Sequence, residues 1–318
     1  MARSKELDNI KTALVIIMLL YHSASCLHIW PQYLEVLYFI HFAFILMTGV
    51  VVGFHYLQIS DVIFQKNKYR LIQRGFKLLC IFILCNSLFY LMQFYSLSAL
   101  MKYIQEVGIV QFICNPKGSL CAFEILYHIT IFLIISPICL VRHGTEIGGI
   151  LGCVLILLRC NPLGFCIGLG LVGIWLGSFF YKTTIHRQMF LKTIIQWGWT
   201  DGSLLFILHM LGPWHQQGGI VFIEILLWLV FIMSIMHYAF LPKTFDIFGK
   251  YTLLAYIFQV LFLAILATII HRFHFPSYIN YFILLVMATG GTLAFLHIVN
   301  RLRKKFSVCD SIYKLIFS

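Results

Sequence analysis

Acidic side chains are scarce in this chain. Its 318 residues hold 11 Asp and Glu, and charged residues of both signs make up only 11%, where soluble domains carry about 25%. With a mean hydropathy of +0.93, so little charge excludes a soluble domain, a disordered chain and a nucleic-acid binder. Signature motifs are missing too. There is no P-loop, no GxSxG turn, and no HExxH or CxxC pairing, so nothing local points to a nucleotide-hydrolysing site, a serine hydrolase or a metal centre. No internal repeat or low-complexity stretch is visible. The longest outer loop, about 98–118, is too modest to be a catalytic domain. Any chemistry therefore belongs inside a helical membrane bundle.

What is abundant is apolar length. Hydrophobic residues make up 61% of the chain, and a spanning helix needs roughly 20 of them in a row. Ten segments qualify: 10–30, 34–57, 76–97, 119–141, 145–160, 162–181, 193–211, 219–241, 249–271 and 278–299. The fifth is short and abuts Asn161-Pro162, as a broken or re-entrant piece does. The seventh is the weakest, with Gly198, Asp201 and Gly202 inside it. The expected fold is all-α: one polytopic membrane bundle over residues 1–318.

The net charge is +12. In a membrane protein its first meaning is sidedness. With ten spans and a cytoplasmic N-terminus, 19 of the 23 Lys and Arg fall on the inner side. Lys102, Lys117, Arg159 and Arg272 remain outside. This asymmetry predicts cytoplasmic N- and C-termini and an even helix number, since dropping one span would move later basic loops to the wrong face. Ser23-Ala24-Ser25 has the small residues of a cleavage site, but the length of the first apolar run and the charges entering its start favour a retained helix. Cys114 and Cys121 flank an outer turn and form a candidate disulfide in an oxidising compartment. The other eight Cys lie mostly in apolar runs, where a free thiol packs as a small hydrophobe.

Ionisable groups inside a span are costly and mark pathways or active sites. Lys11 and His22 are eleven residues apart, so they share one face of the first helix within about 20° and are separated by about 16 Å along it. Asp8 lies about 60° from Lys11. This stripe has two readings. It either lines a polar path from the inner mouth, or it is a snorkelling Lys11 with His22 hydrogen-bonded to a neighbouring helix. Arg70, Arg74 and Lys77 recur at helical spacing in the basic run Lys66–Lys77 that enters the third helix. They suit either phosphate, through the guanidinium fork and the ammonium point charge, or lipid headgroups.

Glu124 and His128 are four apart on the fourth helix. His209, His215, His237, His271 and His274 lie near span ends. Each reads first as an interhelical hydrogen-bond partner, and no metal is expected. Gly168, Gly170, Gly173 and Gly177 read as tight helix packing rather than as a dinucleotide fingerprint.

Several segments, in order, resemble the integral-membrane acyltransferases of the acyltransferase-3 superfamily, and within it the OpgC-like branch. Leu7-Asp8-Asn9-Ile10-Lys11 through Tyr21-His22 resembles the family's first-helix motif of acidic residue, basic residue, ten residues and histidine. Phe42–Gly49 is similar to its apolar run ending in Ser-Gly. Arg70, Arg74 and Lys77 stand at its basic entry to the third helix. Glu124-Ile125-Leu126 closing in Pro137, Asn161-Pro162-Leu163, and Phe248–Leu253 with Tyr256 resemble its later motifs. There are departures. Lys11 stands where Arg is usual, the pair Arg70 and Arg74 is spaced RxxxR, and Gln259 stands near a position that is often His.

The resemblance implies acyl transfer across a membrane. The donor would be cytoplasmic acyl-CoA, gripped by Arg70, Arg74 and Lys77. The acceptor would be a hydroxyl of a glycan or other polar molecule on the outer side. His22 would act as general base or acyl carrier, with Asp8 and Lys11 at the channel mouth. A bacterial inner membrane is the implied location. The competing reading is a transporter or flippase of a polar or lipid-linked substrate, resting on the polar stripe and the interrupted helices.

Overall fold

The computed structural model describes residues 5–27, 39–56, 61–94, 124–139, 144–158, 162–182, 223–232, 243–270 and 276–317, with a few single positions between 98 and 105. Among these residues the secondary structure is helical, with no strand. The helices are α1 (Lys5–Cys26), α2 (Phe39–Tyr56), α3 (Asp61–Phe94), α4 (Glu124–Cys139), α5 (Gly144–Leu158) and α6 (Pro162–Lys182). They continue as α7 (Ile223–Ile232), α8 (Asp246–Lys250), α9 (Thr252–Ile270), α10 (Ser277–Lys305) and α11 (Ser307–Phe317). Of the ten expected spans, the seventh (193–211) lies outside the described residues. So do Cys114, Cys121, His209, His215, His237, His271 and His274.

Among the described residues, five helices are long and apolar enough to cross a membrane: Leu7–Cys26, Lys68–Leu88, Pro162–Phe179, Thr252–Ile270 and Ser277–Lys305. Four more are apolar but shorter. The outward faces agree with a lipid surround. On α5, Ile147, Ile150, Leu157 and Leu158 are exposed, and on α10 Phe282 and Val286. So many large apolar side chains facing out would be an aggregation liability in water; in hydrocarbon they are solvated. The chain is thus a helical membrane protein.

Packing divides into neighbourhoods. α6 is the hub of one, against α2 on one side and α5 on the other, and α3 pairs with α4. α1 sits against α8, α9 and α10, and also touches α2. Apolar attraction is no driving force between helices in lipid, so close backbone approach must supply dispersion contacts instead. The α2–α6 seam does this with glycine. A Cβ at Gly49 would lie 2.1 Å from the Gly170 carbonyl oxygen, and one at Gly173 would lie 2.3 Å from that of Leu46. Gly53 and Gly177 are equally tight against Ile174 and Val50. Gly168 faces Gly152 of α5 in the same way.

Two helices carry local departures. Pro137 has no N–H to offer the Leu133 carbonyl one turn back. The Ser136 hydroxyl donates to that oxygen instead, at 3.2 Å, which allows a proline near the end of α4 in a place without water. α3 begins at Asp61, fifteen residues before the expected start of the third span, so the basic run Lys66–Lys77 is itself helical. A helix of 34 residues is about 51 Å long, beyond the roughly 30 Å of a hydrocarbon core, so its basic N-terminal part extends past the bilayer.

Candidate functional site

The site begins with a contact between α1 and α8. Gly249 has no side chain, and its backbone packs onto α1 where a Cβ would meet the Asp8 carbonyl oxygen at 2.2 Å. The Gly249 N–H donates to Thr12 Oγ1 at 3.0 Å, and that hydroxyl donates to the Asp8 carbonyl at 2.9 Å. This fixes the height of Lys250 relative to Lys11. Tyr251 then breaks the helix, with φ −122° and ψ 36°, before α9 resumes at Thr252.

A cavity of about 370 Å³ opens beside this contact, within the usual range of small-molecule sites. Four cations stand on its wall: Lys11 of α1, Arg74 and Lys77 of α3, and Lys250 of α8. The rest is mostly apolar, including Met18, Phe44, Met47, Leu71, Leu126 and Leu133. Tyr251, Tyr256, Tyr313 and Ile316 are also part of the lining. Cations grouped against low-dielectric walls focus their field into the space between them.

Lys11 is bridged to Asp8 at 3.8 Å, one turn away on α1, and neither side chain is more than a quarter exposed. Lys250 donates to Asn300 Oδ1 at 2.8 Å, which also accepts from the Tyr251 hydroxyl at 2.8 Å. The network continues through Arg303, which donates from Nη1 to that hydroxyl at 3.2 Å.

His22 does not line the cavity. Its ring lies 6.3 Å from that of Tyr256, which does. Tyr21 packs edge-on against both His22 and His41, at 5.2 and 5.8 Å. Nε2 of His22 is shielded from solvent and has no hydrogen-bond partner among the described residues. A buried acceptor or donor left unpaired costs free energy; here the orphan atom belongs to the most chemically capable side chain of the stripe. One turn beyond Tyr256 on α9, Gln259 is fully buried, and both amide atoms are likewise without partners among the described residues. Ser23 Oγ, next to His22 on α1, is a fourth such atom.

The structure thus brings Lys11, Arg74 and Lys77 together, with Asp8 behind Lys11 and His22 one aromatic ring away. Arg70 is not part of this wall and is exposed. It shares the face of Arg74 but lies about 6 Å closer to the N-terminus of α3. His128 is buried on α4 and is not on the wall; Glu124 is the first residue of that helix. Lys250 and Tyr251 sit in the Phe248–Leu253 motif, the signal that could have singled them out. Tyr313 and Ile316 belong to a tail that the sequence marked only as basic. Among the described residues no group of three or more His, Cys, Asp or Glu is placed to hold a metal. Comparison of the chain with protein-family models, curated proteins and solved structures yields no match.

Proposed function

We propose that this protein is a membrane-embedded O-acyltransferase of the acyltransferase-3, OpgC-like kind. In this reading it has ten spans with both termini cytoplasmic, in a bacterial inner membrane. It transfers an acyl group of the acetyl or succinyl class from cytoplasmic acyl-CoA to a hydroxyl of a glycan or other polar acceptor. The observation that carries the reading is one cavity with two unlike parts: a cationic set of Lys11, Arg74, Lys77 and Lys250, and an apolar wall reaching Tyr256 beside His22. An anionic amphiphile with a reactive end has that polarity. The phosphates of the donor meet the cations through charge-assisted hydrogen bonds, and its acyl arm enters the apolar part.

In the direct route, Nε2 of His22 takes the proton of the acceptor hydroxyl as that oxygen attacks the thioester carbonyl. The carbon–sulfur bond breaks, and the departing thiolate of CoA takes up a proton. In the covalent route, Nε2 itself attacks the thioester carbonyl and expels the CoA thiolate; the acceptor hydroxyl then attacks the acyl-imidazole, breaking its carbon–nitrogen bond and leaving its proton on the freed nitrogen. Either route needs a neutral imidazole with a free nitrogen, and the unpartnered Nε2 supports that requirement. Asp8 holds Lys11 at the mouth.

The test uses reconstituted protein and acyl-CoA. The variant His22→Ala is expected to fold and to lose acyl transfer, while Arg74→Glu weakens donor binding. Transfer by His22→Ala at the wild-type rate removes His22 from the chemistry. Vectorial movement of a substrate without acyl transfer would replace the enzyme with a transporter.

A further inference from the structure

The C-terminal helix α11 has two faces that serve different surroundings. One face is tied to the bundle. Asp310 Oδ1 accepts from Nε and Nη2 of Arg303 at 2.9 and 2.6 Å, and Oδ2 lies 2.6 Å from the Lys314 ammonium. The Arg303 guanidinium stacks 3.7 Å over the Tyr313 ring, which meets Tyr251 edge-on at 5.4 Å. Tyr313 and Ile316 stand on the cavity wall.

The opposite face is apolar and has no packing partner among the described residues. Val308, Ile312 and Leu315 follow helical spacing, and they are 66%, 51% and 70% exposed. Nothing among the described residues covers them.

The position of α11 identifies what does. α10 ends at Lys305 as a candidate membrane span, and the chain turns at Phe306, which is extended, to begin α11 at Ser307. α11 therefore starts where the spanning helix leaves the membrane. Arg301, Lys304 and Lys305 are exposed at that turn, and Lys314 is exposed on α11 itself. An apolar stripe flanked by exposed cations, at the rim of a bilayer, is the pattern of a helix lying in an anionic headgroup layer.

We propose that α11 is an interfacial helix that docks on an anionic lipid surface. Val308, Ile312 and Leu315 enter the headgroup boundary, while the other face holds Tyr313 and Ile316 over the cavity. The inference stands apart from the acyltransferase reading, since it concerns the helix and the lipid alone.

The experiment measures amide hydrogen exchange of residues 307–317 in the full chain, embedded in nanodiscs of phosphatidylcholine alone or with a third of phosphatidylglycerol. Exchange of this segment is expected to slow at least threefold when the anionic lipid is present. The variant V308S/I312S/L315S is expected to exchange at least tenfold faster than wild type in the anionic discs, with α9 and α10 unchanged. A second variant, R301Q/K304Q/K305Q, keeps the apolar stripe and is expected to abolish the difference between the two lipids. If exchange of 307–317 is the same in both lipids and in the serine variant, α11 is held by its protein contacts alone and the proposal fails. Slowing that depends on protein concentration would assign the face to a second copy and overturn it equally.

Discussion

Gly249 is where the fold and the site depend on one missing atom. The substitution Gly249→Ala places a Cβ 2.2 Å from the Asp8 carbonyl oxygen and 2.8 Å from Thr12 Oγ1. Ordinary contact begins near 3.4 Å, so α8 must retreat from α1 by about 1.2 Å. The neighbours are backbone and a short hydroxyl already engaged in two hydrogen bonds, so no flexible side chain can yield. Overpacking of this kind costs about 1–3 kcal/mol, and losing the Gly249–Thr12 hydrogen bond adds about 1 kcal/mol. Together they predict a loss of roughly 2–4 kcal/mol, or a fall of about 3–6 °C in unfolding midpoint for a chain of this size.

Gly290 supplies the internal control. It is also helical, but a Cβ there meets nothing within 4 Å. Gly290→Ala is expected to raise stability by up to about 1 kcal/mol, the backbone preference of alanine in a helix. Thermal unfolding of the two purified variants in one detergent measures both effects. Under the proposed function, an acyl-CoA titration of Gly249→Ala then reports the displacement of Lys250 from Lys11 as weaker affinity. If the two alanines shift the midpoint alike, the close approach of α8 to α1 is wrong and the site built on it loses its frame.

Three further predictions concern separate features. Gly173→Val drives a branched side chain into the Leu46 carbonyl, 2.3 Å from its Cβ; it should part α2 from α6 and destabilise by at least about 2 kcal/mol, read as loss of the folded peak in size-exclusion chromatography. Gln259→Met removes two buried unpartnered polar atoms at nearly constant volume; it should raise stability by about 1–3 kcal/mol, read as a higher unfolding midpoint, and a fall in midpoint would mean that the amide is satisfied. Asp310 is held below the ordinary carboxylate value of 3.8 by its bonds to Lys314 and Arg303. Its hold on α11 is therefore complete above that value and lost as pH falls through the depressed one. Protection of 307–317, corrected for intrinsic exchange, should be flat from about pH 7 to pH 5; Asp310→Asn should lower it across that range.

The helical class was legible because lipid imposes a coarse rule, long apolar runs closed by basic ends, and periodicity resolves it. That Arg74 and Lys77 share one face of their helix was legible for the same reason, since angle around a helix follows from residue number; that Lys11 of α1 meets them on one cavity wall was not. Axial position is less legible. Arg70 has the right angle, but the sequence does not reveal that α3 starts at Asp61 and carries Arg70 past the cavity wall. Pairing between distant segments was legible only in part. The glycines of α6 announced a seam without naming α2 as its partner, and the bond from Gly249 to Thr12 joins residues 237 apart. Tyr313 was hidden because the count of tail cations masked the two-faced pattern of α11.

The α2–α6 seam also has a consequence for how the chain is made. Its close contacts are backbone on backbone, so neither helix can satisfy them alone or with a substitute that carries side chains. α2 ends at Tyr56 and α6 starts at Pro162. At about 5–20 residues per second of synthesis, roughly a hundred intervening residues take about 5–20 s. Throughout that interval the glycine groove of α2 faces lipid or the insertion machinery. The seam between α2 and α6 therefore closes only after α1 and the apolar part of α3 have already been synthesised.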